Sequence, residues 1–160
     1  MRYLVISDSH GRNENVRRVM EEVGPVEAVF HLGDVQCELF ELEVITQCPV
    51  IAVAGNGDYN PELKQMRVIT REGYKIVMVH GHRHGVYFDY SRLVYLGQEN
   101  EAHIVMFGHT HVPHLQQEGG VILLNPGSIS RPRQSNRKPT FTIMEISEGG
   151  GIHFDMKELS

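Results

Sequence analysis

The sequence is poor in cysteine, contains no tryptophan and has no long hydrophobic run. Its two cysteines, Cys37 and Cys48, are too few for a disulfide framework, so both are expected to be reduced thiols. No apolar stretch approaches the ~20 residues that a membrane-spanning helix requires. The apolar segment before Asp8 is also too short for the apolar region of a signal peptide. These absences predict a cytoplasmic protein that has no membrane partner.

Positive charge is scarce as well. The chain has 15 Lys and Arg residues against 20 Asp and Glu residues, and its formal net charge is −5. This balance argues against broad binding to a nucleic-acid backbone or an anionic membrane, because both require a basic surface. The length of 160 residues predicts one domain, residues 1–160, that is large enough to bury a core.

Five short apolar runs are each followed by residue types that ligate metals. The runs are rich in Val and Ile, which predicts buried strands, and they cover residues 3–6, 28–32, 50–53, 76–79 and 104–107. Polar side chains that follow such strands converge at one edge of a sheet, where open α/β folds bind ligands. The seven candidate ligands are Asp8, His10, Asp34, Asn56, His80, His109 and His111.

The remaining pattern predicts an α/β fold with two sheets. Apolar residues at spacings of three and four predict a helix over residues 14–23, with Asn13 as its N-cap, and a second helix that buries Leu39, Leu42 and Ile45. With the first three strands these helices form a βαβαβ unit, which predicts a parallel sheet. The second half is mostly strand, with one helix over residues 90–98 and further strands over 66–70, 74–79, 121–124, 140–146 and 152–156. We therefore expect two packed sheets with helices outside.

The mixture of carboxylates, imidazoles and one amide suits a first-row divalent metal better than an all-oxygen calcium or magnesium cage. Seven ligands are too many for one tetrahedral zinc, but they are natural for two metals ~3.5–4 Å apart. A carboxylate such as Asp34 can bridge such a pair. Two metals so placed activate a water molecule and neutralise the oxygens of a displacement at phosphorus.

The order of these motifs resembles that of the calcineurin-like metallophosphoesterases. The short length and the later Asn125-Pro126-Gly127-Ser128 are similar to the small YfcE-type bacterial and archaeal phosphodiesterases, and the resemblance spans residues 5–133. It implies a four-layer sandwich of two mixed β-sheets flanked by helices. It also implies a phosphodiesterase that hydrolyses small phosphodiesters through a hydroxide that bridges two metals. The motifs are Asp8-Ser9-His10, Gly33-Asp34, Gly55-Asn56-Gly57-Asp58, His80-Gly81-His82 and Gly108-His109-Thr110-His111.

The resemblance also implies a role for each ligand. Asp8, His10 and His111 would hold one metal, Asn56, His80 and His109 would hold the other, and Asp34 would bridge the two. Manganese is the expected metal, with nickel, iron, zinc or magnesium as alternatives. Asp34, Asn56 and His82 are expected to take part in catalysis.

One position departs from the wider family. Many members have a histidine between the asparagine and the acidic residue of the third motif, and that histidine is held to assist the leaving group or to steady the phosphate. Here the position is Gly57, so the pocket is expected to be open and Asp58 has no imidazole to orient. Loss of a general acid, worth ~10²–10⁴ in rate, penalises alkyl leaving groups more than aryl ones.

Several histidines and arginines have simpler interpretations. His31 lies in an apolar run and is expected to be a hydrogen-bonded core residue, whereas His82 is an alternative to His80 as ligand or a neighbour that faces the phosphate. Arg131 and Arg133 could meet the substrate phosphate, although a solvated charge on an exposed loop explains them as well.

Four functions remain in competition. The leading prediction is an enzyme acting on a small phosphoester, with no long nucleic acid as partner. A binding scaffold similar to the retromer subunit of the same fold is the rival from another class, and a phosphomonoesterase or a nuclease would use the same chemistry. Residues able to ligate a metal occupy all seven ligand positions, which favours an enzyme. The sequence leaves open whether the protein forms a homo-oligomer.

Overall fold

The computed structural model describes all residues from 1 to 160 and contains ten strands and three helices. In chain order the elements are β1 (Arg2–Ile6), α1 (Glu14–Val23), β2 (Ala28–His31), α2 (Leu39–Thr46), β3 (Val50–Ala52), β4 (Met66–Arg71), β5 (Tyr74–Val79), α3 (Ser91–Glu99), β6 (Ile104–Met106), β7 (His114–Glu118), β8 (Val121–Asn125), β9 (Thr140–Ile146) and β10 (Ile152–Glu158).

Two mixed five-stranded sheets form the centre of the molecule. The first has the order β10-β9-β1-β2-β3, in which β1, β2 and β3 run parallel and β9 and β10 are antiparallel additions. The second has the order β4-β5-β6-β8-β7, with β5, β6 and β8 parallel and an antiparallel strand at each edge. The carboxyl ends of five parallel strands, β1, β2, β3, β5 and β6, therefore lead into the predicted ligand motifs.

Successive side chains of a strand point to opposite faces of the sheet, so each sheet packs on both faces and the molecule has four layers. In β1, Leu4 and Ile6 pack with residues of α1 and α2, whereas Tyr3 and Val5 pack in the core between the two sheets. A third apolar cluster joins the second sheet to α3, which buries Leu93 against it. The layers are thus α1 and α2, first sheet, second sheet and α3. This arrangement confirms the predicted α/β sandwich of two mixed sheets with helices outside.

The structure differs from the expected local detail at two points. Asn13 lies at the N-cap of α1, but its side chain makes no capping hydrogen bond and its Nδ2 donates to Cys37 Sγ at 3.5 Å instead. The strand β7 was not predicted, because His114–Glu118 has a single apolar residue and forms an exposed edge.

Gly97 lies inside the third helix, and glycine is required there for the packing of α3 against the second sheet. A Cβ at this position would come within 2.8 Å of Val121 Cγ1 and 2.9 Å of Val105 Cγ2, so glycine allows α3 to approach the second sheet closely. None of the three helices has the length and apolarity to cross a bilayer.

Candidate metal centre

Five loops meet at the carboxyl ends of the parallel strands of both sheets. Main-chain hydrogen bonds join the loops to one another: Asp8 N donates to Gly33 O at 3.0 Å, His10 N to Asp34 O at 2.9 Å, and Gly108 N to His80 O at 2.9 Å. The first two bonds join the loops after β1 and β2, and the third joins the loops after β5 and β6. The seven predicted ligands lie on these five loops.

The carboxylate of Asp8 is fully buried at the centre of the site. Its Oδ2 accepts hydrogen bonds from Ser7 Oγ and, at 3.1 Å, from His109 N. Its Oδ1 accepts no hydrogen bond and lies 3.1 Å from His111 Nε2. A buried carboxylate oxygen without a donor is costly unless a cation or a charged donor faces it. The position of Oδ1 therefore fits a metal ligand.

Asp34 lies between two imidazoles. Its Oδ1 accepts a hydrogen bond from Gly57 N at 2.8 Å, while its Oδ2 lies 3.7 Å from His10 Nε2 and 3.4 Å from His80 Nε2. Burial alone would raise the pKa of this carboxyl group, but the hydrogen bonds and the positive field of His80 outweigh burial and hold the pKa well below its usual range. Asp34 is thus anionic at neutral pH, with one oxygen directed between His10 and His80.

Three histidines share one orientation, in which Nε2 faces the centre and Nδ1 faces an oxygen outside it. An oxygen acceptor at Nδ1 requires that this nitrogen has the proton, so Nε2 is the ring nitrogen that can bind a metal. Such outer hydrogen bonds are typical of metal-binding histidines. The three pairs are His10 Nδ1 with Gln36 Oε1 at 2.8 Å, His80 Nδ1 with Leu32 O at 2.7 Å, and His111 Nδ1 with Arg131 O at 2.6 Å.

His109 and His82 are less constrained. The ring of His109 lies 5.1 Å from that of His80, and burial, followed by the nearby His80, lowers the pKa of His109 to about 4. His109 is therefore neutral at physiological pH and able to ligate a metal. The ring of His82 lies 5.4 Å from that of His80, but its Nδ1 has no hydrogen-bond partner. His80, in contrast, also approaches Asn56 Oδ1 at 3.1 Å, so the structure brings His80 and Asn56 together and leaves His82 beside them.

Four of these residues form a compact set of donors. One ligand atom from each lies within 4.8 Å of the others, and three of the four residues are buried: Asp8, His10, Asp34 and His111. Two carboxylate oxygens and two imidazole nitrogens suit a divalent transition metal. The donor chemistry and the unpaired Asp8 Oδ1 thus fit a metal centre.

Several residues that support the site were not found from the sequence. Asp58 accepts hydrogen bonds from three backbone amides, Gln36 N at 2.8 Å, Gly55 N at 2.8 Å and Val35 N at 3.2 Å. Asp58 therefore joins the loops after β2 and β3. An aspartate beside glycines is typical of such a loop, so the sequence contained a signal from which this role of Asp58 could have been predicted.

Tyr87 and Arg133 lie at the rim beside His109. Arg133 Nη1 donates to Tyr87 Oη at 2.9 Å, and Tyr87 Oη donates to His109 O at 3.2 Å. The exposed Arg133 side chain is thus hydrogen-bonded to a tyrosine at the rim of the site. The sequence contained no signal for this contact, because 46 residues separate the two partners.

His31 has the structural role that was expected of it. The residue is fully buried, its Nδ1 accepts a hydrogen bond from Gly33 N at 3.2 Å, and its Nε2 lies 2.8 Å from Ser9 Oγ. Because Nδ1 is the acceptor, Nε2 has the proton and donates to Ser9. His31 is therefore a neutral core residue that supports the first loop.

Fold and site together define an α/β phosphoesterase with a metal-binding centre. Residues 1–149 match the family model of the calcineurin-like phosphoesterase superfamily domain, and the chain belongs to this superfamily. It is 32% identical over 147 residues to the probable metallophosphoesterase YsnB of Bacillus subtilis, which covers 91% of this chain and 85% of YsnB. The crystal structure of a predicted phosphoesterase from Streptococcus pneumoniae has a TM-score of 0.83 and 35% identity, and the match covers 98% of this chain and 88% of that one.

Two further proteins are similar to this chain, one in sequence and one in fold. The phosphodiesterase YfcE of Escherichia coli is 33% identical over 97 residues, which is 54% of this chain and 48% of YfcE. Vps29 of Entamoeba histolytica in complex with zinc has a TM-score of 0.79 at 23% identity, and the match covers the whole of both chains. At that identity the likeness to Vps29 shows a common fold alone.

Proposed function

We propose that the protein is a metal-dependent phosphodiesterase that hydrolyses small phosphodiesters at a centre of two divalent metals. The observation that supports it most is the position of Asp34 Oδ2 between His10 Nε2 and His80 Nε2. His10 belongs to one proposed metal site and His80 to the other. A carboxylate oxygen between these two imidazoles therefore suits a ligand that bridges the two metals. Asp8, His10 and His111 would hold one metal, and Asn56, His80 and His109 would hold the other. Manganese is the metal we expect.

The protein supplies orientation and charge to this centre. Asp8 and Asp34 supply two buried negative charges, which favour cations, and each has one oxygen fixed by backbone N–H groups that keep the other directed inward. The outward Nδ1 bonds hold the imidazoles with their Nε2 lone pairs inward. When bound, two divalent metals activate a water molecule and neutralise charge on the phosphoryl oxygens.

Two residues are proposed to face the substrate. Asn56 is exposed at the centre, and its amide Oδ1 lies beside His80 Nε2. His82 is half-buried next to His80, and burial, followed by the charge of His80, lowers its pKa. A neutral His82 accepts a hydrogen bond from an attacking water or from a protonated phosphate oxygen. We assign both residues to catalysis on these contacts.

The choice of a phosphodiester as substrate follows from the partial match to YfcE, a phosphodiesterase, over 54% of the chain. A scaffold function, as the second candidate, is disfavoured by the site itself. A protein that only binds partners has no need for an unpaired buried carboxylate oxygen surrounded by three imidazoles, since such a group destabilises the fold.

The test uses protein from which metals have been removed by a chelator. Manganese is added back in steps, bound metal is counted by elemental analysis, and activity is assayed on aryl and alkyl phosphodiesters, phosphomonoesters and single-stranded DNA. We expect two equivalents of manganese and activity mainly on small diesters. Saturation at one equivalent contradicts the dinuclear centre, preference for monoesters or DNA selects the corresponding alternative, and metal binding without any hydrolysis supports the scaffold.

A further inference from the structure

Gln36 lies in the third position after Gly33, at the end of the loop that presents Asp34. Its backbone has φ 54°, the left-handed conformation that L residues rarely adopt, and its N–H donates to Asp58 Oδ1 at 2.8 Å. This conformation, fixed by Asp58, places the Gln36 side chain against the metal centre.

The two ends of the Gln36 amide contact different loops. Nε2 donates to Gly57 O at 3.1 Å, and Oε1 lies 2.8 Å from His10 Nδ1. The side chain is thus a bridge between the loop after β3 and the imidazole of His10. Residues of all three loops, those after β1, β2 and β3, meet at this one amide.

The Gly57 carbonyl determines the protonation of His10. A carbonyl oxygen can only accept, so the amide nitrogen of Gln36 must face Gly57 and the amide oxygen must face His10. An oxygen facing His10 Nδ1 requires the proton on that nitrogen. His10 Nε2 is then the nitrogen directed toward the centre, where His111 Nε2 lies at 3.3 Å and Asp34 Oδ2 at 3.7 Å.

Gln36 and Gly57 also occupy complementary volumes. A Cβ on Gly57 would come within 2.7 Å of Gln36 Nε2, and the backbone of Gly57 is not left-handed. A side chain at this position would therefore displace the Gln36 amide, whereas the backbone conformation by itself would accept one. The Gln36 amide thus lies beside the point where a side chain at position 57 would begin.

We infer that Gln36 is a positioning residue that selects the Nδ1-protonated form of His10 and holds its Nε2 toward the metal centre, and that Gly57 is glycine in order to admit this amide. The expected effect on metal binding rests on the proposed function, whereas the role of Gln36 rests on the hydrogen bonds described above. Removal of an outer partner of a metal-binding histidine costs typically ~10–100-fold in metal affinity.

The test compares three variants with the wild type. Gln36→Met keeps similar length and removes both polar ends. Gln36→Glu keeps an acceptor for His10 Nδ1. Gln98→Met is the matched control, because Gln98 Nε2 also donates to a glycine carbonyl, Gly119 O at 2.9 Å, far from the site. Manganese affinity is measured by titration, and the protonated nitrogen of His10 is identified by ¹⁵N NMR of the metal-free protein.

We expect Gln36→Met to weaken manganese binding ~10–100-fold and to give a mixture of His10 tautomers. Gln36→Glu should bind more tightly than Gln36→Met and retain the Nδ1 proton, and Gln98→Met should match the wild type in both measurements. Wild-type affinity and an unchanged tautomer in Gln36→Met would overturn the inference, as would a Glu variant no better than the Met variant. If the wild type binds no manganese, the proposed function fails, and the tautomer measurement still decides the role of Gln36.

Discussion

The hydroxyl of Ser128 donates to the main-chain carbonyl of Asp8 at 2.8 Å, across 120 residues of sequence. Ser130 Oγ donates to the same carbonyl at 2.9 Å. Asp8 has φ 54°, in the left-handed region. The loop after β8 therefore stabilises a disfavoured backbone conformation at the residue whose carboxylate is the centre of the site.

The same conformation recurs throughout the candidate site. Five of the seven predicted ligands have positive φ, namely Asp8, His10, Asp34, His109 and His111. Each left-handed L residue costs roughly 1–2 kcal/mol. Strain of this kind persists where the surrounding structure fixes it, and it concentrates at functional sites. We therefore regard the three loops that contain these residues, those after β1, β2 and β6, as a preorganised cradle.

A pair of substitutions at His10 tests this strain. At an ordinary position glycine is roughly 0.5–1 kcal/mol less stable than alanine, but at φ 51° the order reverses, because glycine adopts positive φ freely. We expect His10→Gly to exceed His10→Ala by about 1 kcal/mol in the free energy of unfolding, measured by urea denaturation of the metal-free proteins.

Arg12 provides the matched control. It is exposed, lies two residues away and does not have positive φ, so Arg12→Gly should be less stable than Arg12→Ala. If both pairs show the same order, His10 does not have a strained backbone in solution.

Asp34→Asn tests the proposed bridge. An asparagine Oδ1 still accepts from Gly57 N, so the loop keeps its hydrogen bond and loses only the charge between His10 and His80. We expect manganese affinity and activity to fall by more than the ~10–100-fold that an outer-shell partner is worth. The unfolding temperature of the metal-free protein should change little. Asp155→Asn removes an exposed carboxylate and is the control. Full metal loading with near-normal turnover would show that Asp34 is not the bridge.

Much of the architecture was predictable from short-range pattern. Five of the strands are apolar runs that are followed in sequence by glycine-containing motifs: β1, β2, β3, β5 and β6. The need to bury these runs places the strands inside the molecule. The edge strand β7 was not predictable, because an exposed edge requires no apolar residues. The order of strands in each sheet depends on contacts between distant residues, which periodicity does not encode.

The candidate site was likewise predictable only in part. Its metal-ligand residue types follow directly after strands, so the sequence shows them. The partners that orient them, such as Gln36 for His10 or Arg131 O for His111, depend on loop conformation and on backbone atoms. Gly57 shows the consequence. Its missing side chain indicated an opening, but the sequence did not show that the amide of Gln36, 21 positions earlier, bonds to its carbonyl oxygen.

His31 makes stability depend on pH. Burial is the main cause that lowers its pKa from 6.5 to about 4, so the folded protein keeps His31 neutral where the unfolded chain protonates it. The unfolded state then binds more protons, and stability is lost as pH falls from 6.5 toward 4. The loss from this residue is on the order of 3 kcal/mol at about pH 4, since each pKa unit corresponds to about 1.4 kcal/mol.

The variant His31→Gln isolates this contribution. Glutamine can retain polar contacts with Ser9 and Gly33 but does not titrate. We expect the free energy of unfolding of the metal-free variant to fall less steeply than that of the wild type between about pH 6.5 and pH 4. His109, whose pKa is also lowered to about 4, contributes to both proteins and cancels in the comparison. Equal slopes would mean that His31 is not neutral and buried in solution.

The last prediction concerns the leaving group. Gly57 offers no proton, and Asp58 cannot act instead, because its Oδ1 accepts from Gln36 N and its Oδ2 accepts from Val35 N and Gly55 N. We therefore expect the leaving oxygen to depart without a general acid, which is worth typically ~10²–10⁴ in rate. We expect kcat/KM to fall steeply as the pKa of the leaving alcohol rises, so that aryl diesters react faster than alkyl diesters.

A histidine at position 57 should not restore this function by itself. Its Cβ would come within 2.7 Å of Gln36 Nε2, so Gly57→His displaces the amide from His10, and the Asp58 carboxylate already accepts hydrogen bonds from three backbone amides. The double variant Gly57→His/Gln36→Ala makes room for the ring and should keep the steep dependence on leaving-group pKa. Metal content must be measured alongside the kinetics, because both variants lose the partner of His10. If the wild type hydrolyses aryl and alkyl diesters at similar rates, a proton donor is present after all. His82 is then the first to examine, since its Nδ1 has no partner, and His82→Gln would slow alkyl diesters selectively.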